Sequence, residues 1–133
     1  MAIVAAKNGK LQALKYLIGD LATTEELRIR LFKNNYTPLE TSVTGDFTEA
    51  AFSGYASVLL SDWTITEDIS PYATHSQVLF NCTATGSAES IYGYYIVRAG
   101  TNDLIAAKRF EGAPYNIEII GDVIAVTPTV KVS

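Results

Sequence analysis

From Leu27 onward the hydrophobic period of the chain changes from helical spacing to strict alternation, and that switch limits the fold more than any other feature. Leu27, Ile29 and Leu31 alternate with Arg28 and Arg30, which describes a strand with one buried and one wet face. Further strand candidates follow at Phe47–Phe52, Tyr55–Leu60, Trp63–Thr66, Gln77–Cys82, Ile91–Val97 and Leu104–Phe110. Turn-forming clusters separate them at Ser70-Pro71, Thr85-Gly-Ser87 and Ala99-Gly-Thr-Asn-Asp103, and Lys33 to Asp46 has the composition of a loop. Roughly eight or nine short strands, with a turn about every ten residues, predict an all-β fold. The expected architecture is a two-sheet Greek-key or jelly-roll-like sandwich with one short N-terminal helix.

The helical spacing precedes the switch. Leu11, Leu14, Leu17 and Ile18 fall on one face of a short helix that Gly19 is placed to end. So short a helix is marginal in isolation and needs the body of the protein, or another subunit, to lean on. The expected division is an N-terminal arm and short helix at residues 1–26 and a β-sandwich domain at residues 27–133. The apolar start, Met1 to Ala6, is too short for a signal peptide and lacks its positive end, so folding in the cytoplasm is expected. No apolar run approaches the roughly 18 residues of a membrane span, and no membrane partner is expected.

Two segments support finer expectations. Tyr115 to Ile120 and Val123 to Val126 are separated by Gly121-Asp122, a composition suited to a two-residue hairpin. Such a loop pairs Ile119 with Ile124 and sends Ile117, Ile119, Ile124 and Val126 into the core. In Ile91–Val97, Ile91, Tyr95 and Val97 line one face while Tyr92, Tyr94 and Ile96 line the other, so both faces need cover. One cover is a second sheet, and the other is the N-terminal helix or a neighbouring subunit. Gly93 in mid-strand marks a bulge or a close approach of other backbone.

Composition then removes most chemistry. With 133 residues, 48% of them hydrophobic and 18% charged, the chain can bury a core for one domain without a metal or disulfide staple. A net charge of −4 argues against binding to nucleic acid phosphates. The single cysteine, Cys82, lies in an apolar run and reads as a small core residue. His75, the single histidine, reads as an exposed or locally hydrogen-bonded loop residue rather than a catalytic base. There is no Gly-rich phosphate loop, dinucleotide fingerprint or regular calcium loop. No enzyme activity, cofactor or metal is therefore expected.

Two groups of residues stay open as sites. Asp62, Glu67 and Asp68 surround Trp63, an arrangement that could serve glycoside hydrolysis or hold calcium, with Trp63 stacked on a sugar. The plainer alternative packs Trp63 as a core aromatic with the carboxylates in solvent. Eight tyrosines are the second feature, because tyrosine suits surfaces that are wet in one state and dry in another. Tyr92 and Tyr94, with Ile3 and Val4 of the arm, are candidate partner contacts; the alternative is an aromatic core that needs no partner.

Taken in order, Leu31-Phe-Lys-Asn-Asn-Tyr-Thr-Pro38, Phe47-Thr-Glu-Ala-Ala-Phe-Ser-Gly-Tyr55, Trp63, Ile91-Tyr-Gly-Tyr-Tyr-Ile-Val97, Phe110, Pro114-Tyr115 and Gly121-Asp-Val-Ile-Ala-Val-Thr-Pro128 form a longer pattern. Over residues 27–130 this pattern resembles a group of small virion proteins of tailed bacteriophages. The resemblance implies a non-enzymatic capsid decoration (cement) protein, commonly a homotrimer, that binds the assembled shell of the major capsid protein on its outer surface and stabilises it. Residues 1–6 would be the arm that reaches the shell or a neighbouring subunit. A tail or receptor-binding module that contacts glycans through Trp63 is the alternative role.

Overall fold

The computed structural model describes Leu14, residues 26–86 and residues 88–131. Within them the fold is all-β, built from several antiparallel sheets. Its eleven strands are β1 (Leu27–Phe32), β2 (Val58–Leu60), β3 (Trp63–Thr66), β4 (Tyr72–His75), β5 (Val78–Asn81), β6 (Glu89–Ile91), β7 (Gly93–Arg98), β8 (Asp103–Arg109), β9 (Tyr115–Ile117), β10 (Val123–Val126) and β11 (Thr129–Lys131). One four-stranded sheet has the order β2-β1-β7-β8, and smaller sheets are formed by β11-β4-β3, β10-β5 and β6-β9.

Two of the small sheets are one ribbon. The register residues of β5 and β10 continue into those of β4 and β11, and the His75 N–H bonds the Pro128 carbonyl at the junction. Between these registers the β4–β5 side carries one more residue than the β10–β11 side, which bends the ribbon as a bulge does. Strands β4 and β11 form where only loop composition and a terminal tail are visible in the sequence. Conversely, residues 47–52 make no strand: Glu49 forms an isolated bridge with Phe32, and the rest is irregular.

The main core gathers alternate residues of several strands: Leu27, Ile29 and Leu31 of β1, Tyr94 and Ile96 of β7, Val78 and Phe80 of β5, and Ile124 and Val126 of β10. Leu14 is helical and fully buried in the same cluster. The other residues of the expected helix, and Ile3 and Val4 of the arm, lie outside the described residues.

Strand β7 is buried at all six positions, as its two apolar faces require. Tyr95 and Val97 enter a second cluster while Tyr94 and Ile96 enter the main core. The alternation reverses at Gly93, so Ile91 joins the main core and Tyr92 packs against the second cluster, opposite to their expected sides. The cause is local: Gly93 is the register partner of Phe32, yet the Tyr92 N–H also bonds the Phe32 carbonyl. Two residues therefore oppose one, and the pleat flips. A side chain at Gly93 would run into the Lys108 carbonyl and sit 2.6 Å from the Phe32 ring, so the glycine serves a close approach.

One face of β7 is covered by residues 33–50, of which 33–46 read as a loop, while the helical Leu14 is buried with the main core on the other face. Phe47 stacks on Tyr95 with ring centroids 4.7 Å apart and planes at 10°, and it meets Phe32 and Tyr36 edge-on. Residues 33–50 are pinned to the sheet by Lys33 N to Thr48 O (2.8 Å) and Ala50 N to Leu31 O (2.9 Å). The Asn34 side chain bridges within the loop, donating to Asp46 O and accepting from Thr48 N.

The expected hairpin at Gly121-Asp122 does not form. β9 pairs with β6 and β10 pairs with β5, so the two segments belong to different sheets. The Asp122 carboxylate accepts the N–H groups of Glu118 (2.9 Å) and Ile119 (3.1 Å), closing a wider turn with Gly121 at φ +95°. Ile119 consequently stands 53% exposed rather than in the core, while Ile117, Ile124 and Val126 are buried as expected.

Candidate interaction surface

Among the described residues nothing covers the outer face of the β5–β10 pair. Side chains alternate across it, so Phe80, Ile124 and Val126 point into the core while Leu79, Val123 and Ala125 point outward. Leu79 is 51% and Val123 48% exposed, and the turn before β10 adds Ile119 and Ile120. Ala125 is the register partner of Leu79, so these apolar side chains adjoin across the pair.

Among the described residues the edge of β10 away from β5 is unpaired as well. Asp122 O accepts the Cys82 N–H and Pro128 O accepts the His75 N–H, which sets even-numbered residues to bond toward β5 and β4. Antiparallel alternation then turns the N–H and C=O of Val123, Ala125 and Thr127 away from the ribbon. By the same alternation the Thr129 N–H also points outward. Alongside this edge runs a groove of about 270 Å³ lined by Tyr94, Lys108, Phe110, Tyr115 and the backbone around Ala125–Thr127. Phe110 stacks on Tyr115 at 4.9 Å with planes 8° apart, and Tyr94 tilts against Phe110 at 6.1 Å.

No protein-family profile matches this chain, and comparison with curated proteins and with solved structures finds no match. Its function has to be read from its own residues.

Tyr94 is 6% exposed, and burial holds its hydroxyl above the usual tyrosine range against the opposing Thr129 hydrogen bond. It shapes the groove from below instead of standing on an open surface. Tyr92 is half-buried beneath the Arg109 guanidinium, whose centre lies 5.1 Å from the ring. Trp63 is half-buried against the main core and meets His75 edge-on at 5.2 Å; among the described residues its buried Nε1–H finds no partner.

His75 is buried at the end of β4, not exposed in a loop, and both ring nitrogens are engaged. Nε2 accepts the Asp62 N–H at 3.0 Å, so Nδ1 carries the hydrogen and donates it to Ser76 O at 2.8 Å. That arrangement fixes the Asp62–Trp63 corner and leaves no lone pair for acid–base work. Cys82 is buried in the main core, its thiol directed at the Ala84 carbonyl. Among the described residues no three His, Cys, Asp or Glu side chains come together as a metal site, and no helix is long and apolar enough to cross a membrane.

The polar cluster on the outer face of β1 is structural. The Tyr55 hydroxyl donates to Glu49 Oε2 (2.7 Å) and accepts the Leu31 N–H (3.2 Å). Burial, then the bond to Glu49, hold that hydroxyl far above the usual tyrosine range. Tyr95 is raised by burial and by the Glu49 charge, with its bond to Arg30 working the other way. These contacts join β1, the covering loop and the segment after it.

Proposed function

We propose that this protein is a non-enzymatic binding component of a tailed-phage particle, a capsid decoration protein that attaches to the assembled shell of the major capsid protein. The observation that supports this reading is the outer β5–β10 face, uncovered among the described residues, where Leu79 and Val123 are about half exposed and the adjoining turn exposes Ile119 and Ile120. A protein that stayed alone in water would gain nothing from that exposure, whereas a partner surface would remove it from water. We read the β-sheets as a two-layer sandwich of Greek-key or jelly-roll type and the assembly as a homotrimer on the outer capsid surface. Three equivalent contacts made together would turn a weak individual contact into stable attachment, and binding only the assembled shell would stabilise it by mass action. The competing glycan-binding tail module has less support, since Trp63 meets His75 edge-on and packs against the core.

Quantitative mass spectrometry of purified particles tests the reading. The protein should be present at a fixed ratio to the major capsid protein; its absence from particles would overturn the proposal.

A further inference from the structure

We propose that the open edge of β10 takes an extended, uncharged segment of a partner protein as an added strand, laid in the groove beside Tyr94, Phe110 and Tyr115. The inference deepens the binding role above by naming the chemistry of the partner at that surface.

The backbone argument comes first. Val123, Ala125 and Thr127 present N–H and C=O groups outward at every second residue, the spacing that an extended chain can pair and that a helix or a compact side chain cannot. Pro128 does not guard the edge, because it sits at an inward position where its carbonyl bonds His75.

The groove decides the thickness and charge of the occupant. Phe110 and Tyr115 stand beside the edge as a stacked pair and wall the groove, which favours a single strand over a folded sheet as its occupant. Residues 123–128 carry no charge, and the lining contributes one cation, Lys108, against one acid, Glu111. A charged segment would lose its hydration there without a surplus of opposite charge to replace it. Two other edge strands differ: β8 carries Asp103, Lys108 and Arg109, and β3 is flanked by Asp62 and Glu67, whereas the edge strands β2 and β9 are as free of charge as β10. The charges at β8 and β3 are those that ordinarily protect a strand edge, and β10 lacks them.

The test uses the full chain and short random peptides selected by display against it. Expected are binders with a run of consecutive residues free of charge and proline. Their binding should slow amide exchange of Ala125 and Thr127 by about tenfold or more, leaving the inward amides of Ile124 and Val126 unchanged. Thr127→Pro, which removes an outward N–H, should weaken the same peptides about tenfold. The exchange measurement on the unmodified protein stands whether or not that variant folds. Failure to select any binder, or binders that leave Ala125 and Thr127 exchange unaltered, would overturn the proposal. Peptide addition by a protein missing from particles would sink the decoration role alone; normal particle occupancy without strand addition would sink the edge alone.

Discussion

Two sheet faces in this molecule carry more apolar surface than a single layer needs, and the chain treats them differently. The outer face of β7 is closed by residues 33–50, with Phe47 stacked on Tyr95 and locked by Phe32 and Tyr36. Among the described residues the outer face of β5 and β10 has no such cover, and Leu79 and Val123 stand half exposed. Apolar residues on both faces of a strand are therefore no sign of a partner by themselves. A partner is indicated only where the chain has not supplied its own cover.

Closing a face makes its residues structural, so the largest effects belong there. Phe47→Ala should cost about 3 kcal/mol, because it removes a nearly buried ring from between Tyr95, Phe32 and Tyr36. Urea unfolding checks this, and a loss below about 1 kcal/mol would mean the loop is not the true cover. Gly93→Ala should cost about 2 kcal/mol, since its methyl would meet the Lys108 carbonyl and the Phe32 ring at the point where the pleat flips.

A smaller effect concerns the buried hydroxyls. Tyr55, Tyr94 and Tyr95 all hold their protons above the ordinary value of 10.0, chiefly through burial. Their raised folded values make this contribution complete below that pH and progressively lost as pH rises through and above it. Absorbance titration should show exposed tyrosines ionising first and these three only as the fold opens; simultaneous ionisation of all the tyrosines would contradict the packing. At the opposite extreme, Asp122 is held below its ordinary value of 3.8 by the Glu118 and Ile119 N–H groups. What it adds to the turn is present above that value and lost as pH falls through the depressed one. Amide exchange at Glu118 and Ile119 should quicken in acid, and Asp122→Asn should flatten that response.

These contrasts also mark what the sequence could convey. Period-two alternation locates β1, and short apolar runs between turn clusters locate β3, β5, β8 and β10 to within a residue or two; a mid-strand glycine correctly signals a close approach at Gly93. The covering role of residues 33–50 is not legible, because Tyr36 sits in loop composition and Phe47 opens an expected strand that does not form, while their common partner Tyr95 lies far along the chain. The hairpin expectation fails for a related reason. Gly121-Asp122 has the right composition, but the Asp122 carboxylate closes a wider turn and β9 finds its partner in β6. Which edge stays open depends on pairing across the whole chain, so the groove beside β10 carries no local signal, although Tyr94, which shapes it, stands out as one of a cluster of tyrosines.

On the bare face the expected balance reverses: little change in stability, a large change in binding. Val123→Ser should alter stability by no more than about 0.5 kcal/mol, since its side chain already faces water. The most direct measurement is occupancy on purified particles of the wild-type protein and of Leu79→Lys/Val123→Lys, normalised to the major capsid protein. The account predicts a folded double variant whose occupancy falls about tenfold or more, since two desolvated charges on the contact face oppose attachment. Undiminished occupancy would contradict the claim that the uncovered face is where this protein meets its partner.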